Sequence, residues 1–284
     1  MISYMANQRK EGEGLNLRTL HATMKRNFII QMRAYPKDFF IGNLLTAVYT
    51  AFSAYFMYYL LFKGNLKASF VSFAGTDDYM SYVIVGNSMY LFMVRTCLNV
   101  SRSLITELRT GTLESLMLAP FHRVQYFVGN MLQQTVTTSG EILIMILVCL
   151  PFGLRFSAVH IPATILALLA SFLSYFSVSL LLAVVMLYFR DTYISQNTLF
   201  AILFLICGVT FPVQYLPEGV QWISRGIPVT ASLELMRNST LLGWGIAEQA
   251  RSFIGIFLLS SIYCMIGFTL IKRVEIVALE KIQS

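Results

Sequence analysis

The chain has 284 residues, 56% of them hydrophobic and only 12% charged, with a formal net charge of +7. Soluble domains carry about 25% charged residues, so this balance excludes an ordinary cytosolic enzyme and describes a single membrane-embedded domain. The Lys and Arg residues are scattered over short stretches beside apolar runs, without a basic stripe or interleaved aromatics, which excludes nucleic acid as a partner.

The chain opens on a polar, basic stretch and lacks the short apolar core of a signal peptide, so the first long apolar run reads as an uncleaved anchor. Within the N-terminal segment 1–38, Leu17, Leu20, Met24, Phe28 and Met32 recur every three or four residues, with Arg18, Lys25, Arg26 and Arg33 on other faces. This predicts an amphipathic helix lying on the membrane surface with lipids as direct partners, or a helix packed on the ends of a bundle. Six apolar spans follow within 39–271: Phe39 to Phe62, Tyr79 to Asn99, Tyr126 to Leu150, Ile161 to Tyr188, Ile194 to Phe211, and Arg251 to Ile271. A cytosolic N-terminus would leave only Lys63, Lys67, Arg155, Arg225, Arg237 and Arg251 on the opposite side, so the excess of positive charge places both termini, including the tail 272–284, in the cytosol. Cys97, Cys149, Cys207 and Cys264 lie in or beside the apolar runs without CxxC spacing and read as small buried hydrophobes.

The first span is crowded with aromatics, and Tyr49, Phe52 and Phe56 share a helical face that is a candidate for a cargo cavity or a dimer seam. The alternative is a face packed on lipid or on neighbouring helices. Two ionisable residues lie inside spans, Arg95 and Glu141. Counted from the cytosolic ends of their spans, they sit about 15 Å apart along the membrane normal, which predicts no direct ion pair. Arg95 then reads as a snorkelling residue. Glu141 reads either as a hydrogen-bonder capped by polar groups of the outer helices, or as part of a cavity or gate.

Between the second and third spans lies ELRTGTLESLMLAPFHR, Glu107 to Arg123. Ile105, Leu108, Leu113, Leu116 and Met117 form an apolar stripe, which Gly111 interrupts and Pro120 ends. Thr112 suits an N-cap and Glu114 the positive end of the following helix. On physical grounds alone this is also an ordinary capped loop. Far along the chain, FPVQYLPEGVQWISRGIPVTASLELMR, Phe211 to Arg237, carries Pro212, Pro217 and Pro228, which break any single helix, and Trp222 as an interfacial anchor. It reads as short helices dipping into the outer leaflet, or as a long outer loop. Asn238-Ser239-Thr240 is a glycosylation triplet of a kind that arises often by chance.

The pattern E-x-R-x-G-T-L-E-x-L-x-x-x-P, together with the later Phe-Pro, Leu-Pro and Pro-x-Thr segment, resembles the type 2 ABC exporter permeases over nearly the whole chain. The resemblance implies an all-α integral membrane protein of about six transmembrane helices, with an N-terminal interfacial helix, a cytosolic coupling helix at about 104–120, and re-entrant outer helices at about 211–237. It implies that Glu107, Arg109, Gly111, Thr112, Leu113 and Glu114 couple to a separate ABC ATPase, present in two copies. Phe211, Pro212, Leu216, Pro217, Trp222 and Pro228 would form an outer gate. A second permease chain, identical or related, would complete the exporter in a bacterial plasma membrane. No G-x-x-x-x-G-K-[ST] loop occurs, so ATP and Mg are expected on the partner and no cofactor on this chain. An intramembrane enzyme finds no support: His21, His122 and His160 lie outside the spans or at their margins. The expected cargo is an amphipathic small molecule, drug or lipid-like product. The alternatives are export of a polysaccharide or glycolipid, and an ion-coupled secondary transporter that uses Glu141.

Overall fold

The computed structural model describes residues 36–61, 63, 68–109, 111, 123–156, 158–189 and 194–283, with 21, 24–26, 28 and 29 before them. Those early residues are helical, while Leu17, Leu20 and Met32 of the expected amphipathic helix lie outside the described residues. Every regular element among the described residues is a helix. They are α1 (Pro36–Phe56), continued by a π turn (Met57–Leu61), α2 (Ala68–Ala74), α3 (Tyr79–Arg109), α4 (Arg123–Cys149), α5 (Ile161–Phe189), α6 (Ile194–Ile206), α7 (Glu218–Arg225), α8 (Pro228–Thr240) and α9 (Ala250–Gln283).

Among the described residues, four stretches are long and apolar enough to cross a membrane: Tyr79–Arg102, Tyr126–Phe152, Ile161–Phe189 and Ala250–Ile271. They agree with the second, third, fourth and sixth expected spans to within three residues. The first and fifth are shorter apolar helices, Leu44–Leu60 and Asn197–Ile206. At 1.5 Å per residue, the 13 residues of α6 reach about 20 Å, less than the roughly 30 Å of a hydrocarbon core. The expected fifth span therefore stops at Ile206 instead of Phe211, and Gly208 turns the chain with a φ of +73° that favours glycine.

The helices α3, α4 and α5 alternate in direction, and α9 runs parallel to α5. The end where α3 begins and α4 finishes is called the far end here; a hydrogen bond from the Arg155 amide to the Ser81 hydroxyl, 2.9 Å, ties those two termini. The centre of the bundle is α5, which packs on α3, α8 and α9. It can do so because Ala163, Ala167, Ser171 and Ser174 are small and fully buried along one face, letting neighbouring backbones approach. On α9, Gly267 faces Leu180 so closely that a Cβ would stand 2.8 Å from the leucine Cβ.

The segment after α6 folds back into the far end. Pro217 precedes α7 and Pro228 is the first residue of α8, positions where a missing backbone N–H costs nothing. The 13-residue α8 is wedged among α3, α5 and α9 and buries Val229, Leu233 and Leu235. Between the first two expected spans the 68–74 stretch is the short helix α2, held by Phe70 packing edge-on to Tyr79 and Tyr82 at 5.6 and 5.3 Å.

Candidate functional site

A cavity of about 500 Å³ lies between α1, α3 and α6. On α3 its wall is Asn87, Tyr90, Leu91 and Val94, spaced three and four apart so that they fall on one helical face. From α1 come Thr46, Tyr49, Thr50 and Ser53, and from the π turn Met57; Met145 of α4, Phe204 of α6 and Thr210 close the remaining sides. The walls are mainly apolar and aromatic, with hydroxyls and one carboxamide interspersed, the usual make-up of a site for amphipathic ligands. The Thr46 and Ser53 hydroxyls donate to the carbonyls of Gly42 and Thr50, and the Tyr90 hydroxyl to that of Phe200. Asn87 has no hydrogen bond among the described residues and faces the groove. Sequence reading missed it; the signal was Gly-Asn at the middle of an apolar span.

The aromatic face proposed from sequence divides. Tyr49, 74% exposed, lines the groove, whereas Phe52 and Phe56 stack on each other at 5.9 Å and Phe52 meets the edge of Phe152 at the far end. Glu141 is not in the groove wall. It is buried between α3 and α4, where its Oε2 accepts a hydrogen bond from Arg95 Nε at 3.1 Å.

That ion pair overturns the expectation that the two charges lie too far apart for direct contact. The reason is the zero level. Asn99 donates to Gln133 at 3.2 Å and to Gln134 at 3.0 Å, so Asn99 is level with those glutamines and not with Tyr126. Tyr126 lies seven to eight residues nearer the near end, about 11 Å at 1.5 Å per residue, which removes most of the supposed gap. The helix α3 extends well past its apolar span, to Arg109, whereas α4 starts only three residues before its own, at Arg123. Because Glu141 remains about one turn farther from the near end than Arg95, the arginine side chain points into the bundle, opposite to the direction snorkelling would require. Below the pair, Gln133 donates to Thr137 and Gln134 to Thr138 within α4, and with the Asn99 contacts a polar seam joins α3 and α4 over about two turns.

At the far end a second charge is buried. Arg237 of α8 is 6% exposed and donates to the Tyr82 hydroxyl at 2.9 Å, to the Gly208 carbonyl at 2.7 Å and to the Val209 carbonyl. Its guanidinium carbon lies 3.7 Å from the centroid of the Tyr82 ring. These carbonyls follow the C-terminus of α6, where partial negative charge collects. Gly86 of α3 makes room: a Cβ there would run into the Arg237 guanidinium and the Val209 carbonyl. One side chain thus ties α8, the turn after α6 and α3, and the turn it fixes carries Thr210 of the groove wall.

The expected gate residues differ in exposure. Pro212 and Pro228 are buried, Phe211 and Leu216 half-buried, and Pro217 and Trp222 exposed, Trp222 by 72% beneath the Arg225 guanidinium at 5.7 Å. Asn238-Ser239-Thr240 forms the last turn of α8 with Ser239 and Thr240 buried, which is no acceptor loop.

The family model for the ABC-2 type transporter matches residues 19–241. The chain belongs to the ABC-2 type transporter family. It is a multi-pass membrane protein and a permease domain of the kind that holds no ATPase site itself and works with an ABC ATPase partner. No curated protein matches the chain.

In this ABC-2 permease the expected coupling residues fall at the near end of α3 and beyond it. Glu107 and Arg109 are in its last turn, and Gly111 takes a φ of +72°, the left-handed conformation that commonly ends a helix. Thr112, Leu113 and Glu114 lie outside the described residues.

Proposed function

We propose that the chain is the membrane-spanning subunit of an ATP-driven exporter that moves amphipathic small molecules, drugs or lipid-like products out of the cytosol or the inner leaflet. The groove between α1, α3 and α6 carries this reading: a sizeable, largely apolar cleft with an unpartnered Asn87, set in a membrane domain whose family is driven by a separate ATPase. In this reading α1 and α6 complete a set of six spans, both termini face the cytosol, and the near end meets the ATPase through Glu107 to Glu114. Two ATPase copies bind ATP and Mg, and a second permease chain faces the groove, with Tyr49 at the seam. ATP-driven closure of the ATPases tilts α3 and α4 through the coupling segment. The turn at Gly208 to Thr210, with Phe211 to Pro228 beyond it, acts as the outer gate. The ion-coupled alternative has less behind it, because the family to which the chain belongs works with an ABC ATPase.

The test is ATP-dependent uptake of a fluorescent amphiphile into inverted vesicles. Filling the groove by Val94→Trp should abolish uptake while the ATPase still co-purifies. Unchanged uptake in that variant would sink the reading.

A further inference from the structure

The ion pair has a place relative to the groove. Leu91 and Met145 line the cavity, and Arg95 and Glu141 stand four residues from them on the same two helices, in both cases one turn toward the near end. The pair therefore lies just under the near-end floor of the groove, one turn beyond the residues that line it. It is also lopsided: the Glu141 side chain is 2% exposed, whereas that of Arg95 remains 41% exposed. An exposed guanidinium at this depth is costly unless it meets a polar group or a watered cavity. Of the two, the acid is hidden and the base is the exposed member.

The geometry points to Arg95 as the residue that selects cargo, with the groove taking an acidic amphiphile: its phosphate or carboxylate head against Arg95 and its apolar tail along Leu91, Val94, Met145 and Phe204. Glu141 is the resting counter-ion. It holds the guanidinium in place when no cargo is bound and competes with the cargo's anion for it. An arginine fork matches phosphate and carboxylate oxygens better than a point charge does, so the head group is acidic and its tail sets the fit to the groove. The inference rests on the cargo-groove reading above.

The probe is fluorescently labelled dodecyl phosphate, compared with the matching labelled dodecanol, titrated into the full chain in phosphatidylcholine nanodiscs. The phosphate should bind at least about tenfold more tightly than the alcohol, a difference of one charge-assisted contact. Arg95→Gln should bring the phosphate down to the alcohol's affinity and leave the alcohol unchanged, which also shows that the groove is intact. Glu141→Gln, which frees the arginine from its counter-ion, should tighten phosphate binding several-fold. Equal binding of phosphate and alcohol in the wild type would overturn the inference and leave the groove reading standing. So would a phosphate preference that survives Arg95→Gln, or a loss in Glu141→Gln that matches the loss in Arg95→Gln, as a purely structural pair predicts. Failure of both probes to bind would instead remove the groove reading itself. Phosphatidylglycerol added to the disc separates the sources of the acid: displacement of the probe assigns the site to acidic membrane lipid, retention assigns it to a soluble amphiphile, and both support an acidic head group at Arg95.

Discussion

Arg237 holds the far end together with hydrogen bonds to two carbonyls and a phenol, all of which would be left buried and unpaired if it were removed. Arg237→Ala should cost about 3–5 kcal/mol and lower the melting temperature in detergent by many degrees. Arg237→Lys should recover only part of the loss, since an ammonium cannot reproduce the planar fork. A thermal shift of less than a degree in Arg237→Ala would contradict the clamp. The Arg95–Glu141 contact calls for a double-mutant cycle: Arg95→Ala and Glu141→Ala together should destabilise by clearly less than the sum of the single changes, and strict additivity would deny the pair. The sequence exposed both ionisable residues of this pair as anomalies inside apolar spans, yet not their pairing. Register depends on which residues of two helices are level, and only the Asn99 contact to Gln133 and Gln134 fixes that. The role of Arg237 was likewise hidden, because two of its acceptors are backbone carbonyls that every residue carries.

Helices were legible where apolar length alone decides them. The four long spans follow directly from run length and flanking charge, whereas α6 ends early because Gly208 turns the chain within a run that hydropathy reads as continuous. The helix α2 was missed because seven residues are too few for periodicity to show. At this scale the packing of α9 on α5 makes a clean comparison. Gly267→Leu should disrupt it, since even a Cβ would stand 2.8 Å from Leu180, whereas Gly255→Leu, with nothing within 4 Å, should be tolerated. Size-exclusion profiles of the two variants check this, and a monodisperse peak from both would contradict the close approach. The coupling segment is a separate element-scale claim. On the proposed coupling role, Leu113→Pro should leave the permease in the membrane and uncouple ATP hydrolysis from export, because proline would break the helix that the sequence predicts there. Normal export from that variant would count against a mechanical role.

For the whole molecule, the described helices connect two ends that the proposed cycle must link. The near end carries Glu107, Arg109 and Gly111 at the close of α3, and the far end carries the turn after α6, fixed by Arg237. The groove lies between them on the same helix, α3, so a tilt imposed at Arg109 moves Asn87, Leu91 and Val94 together. Family and membrane character were legible from two segments and the run of spans. Groove and floor were not, because they are made by residues of α1, α3, α4 and α6 that only the packing brings together. The central claim is that this chain supplies the path and another chain supplies the energy. It is tested most directly by purifying the tagged full chain in mild detergent and assaying the eluate for ATP hydrolysis, in the wild type and in Glu114→Arg. The account predicts a co-purifying ATPase whose activity is lost from the Glu114→Arg eluate while the permease itself is still recovered. An undiminished ATPase in that variant, or a wild-type eluate with no ATPase under conditions that preserve other ABC complexes, would contradict it.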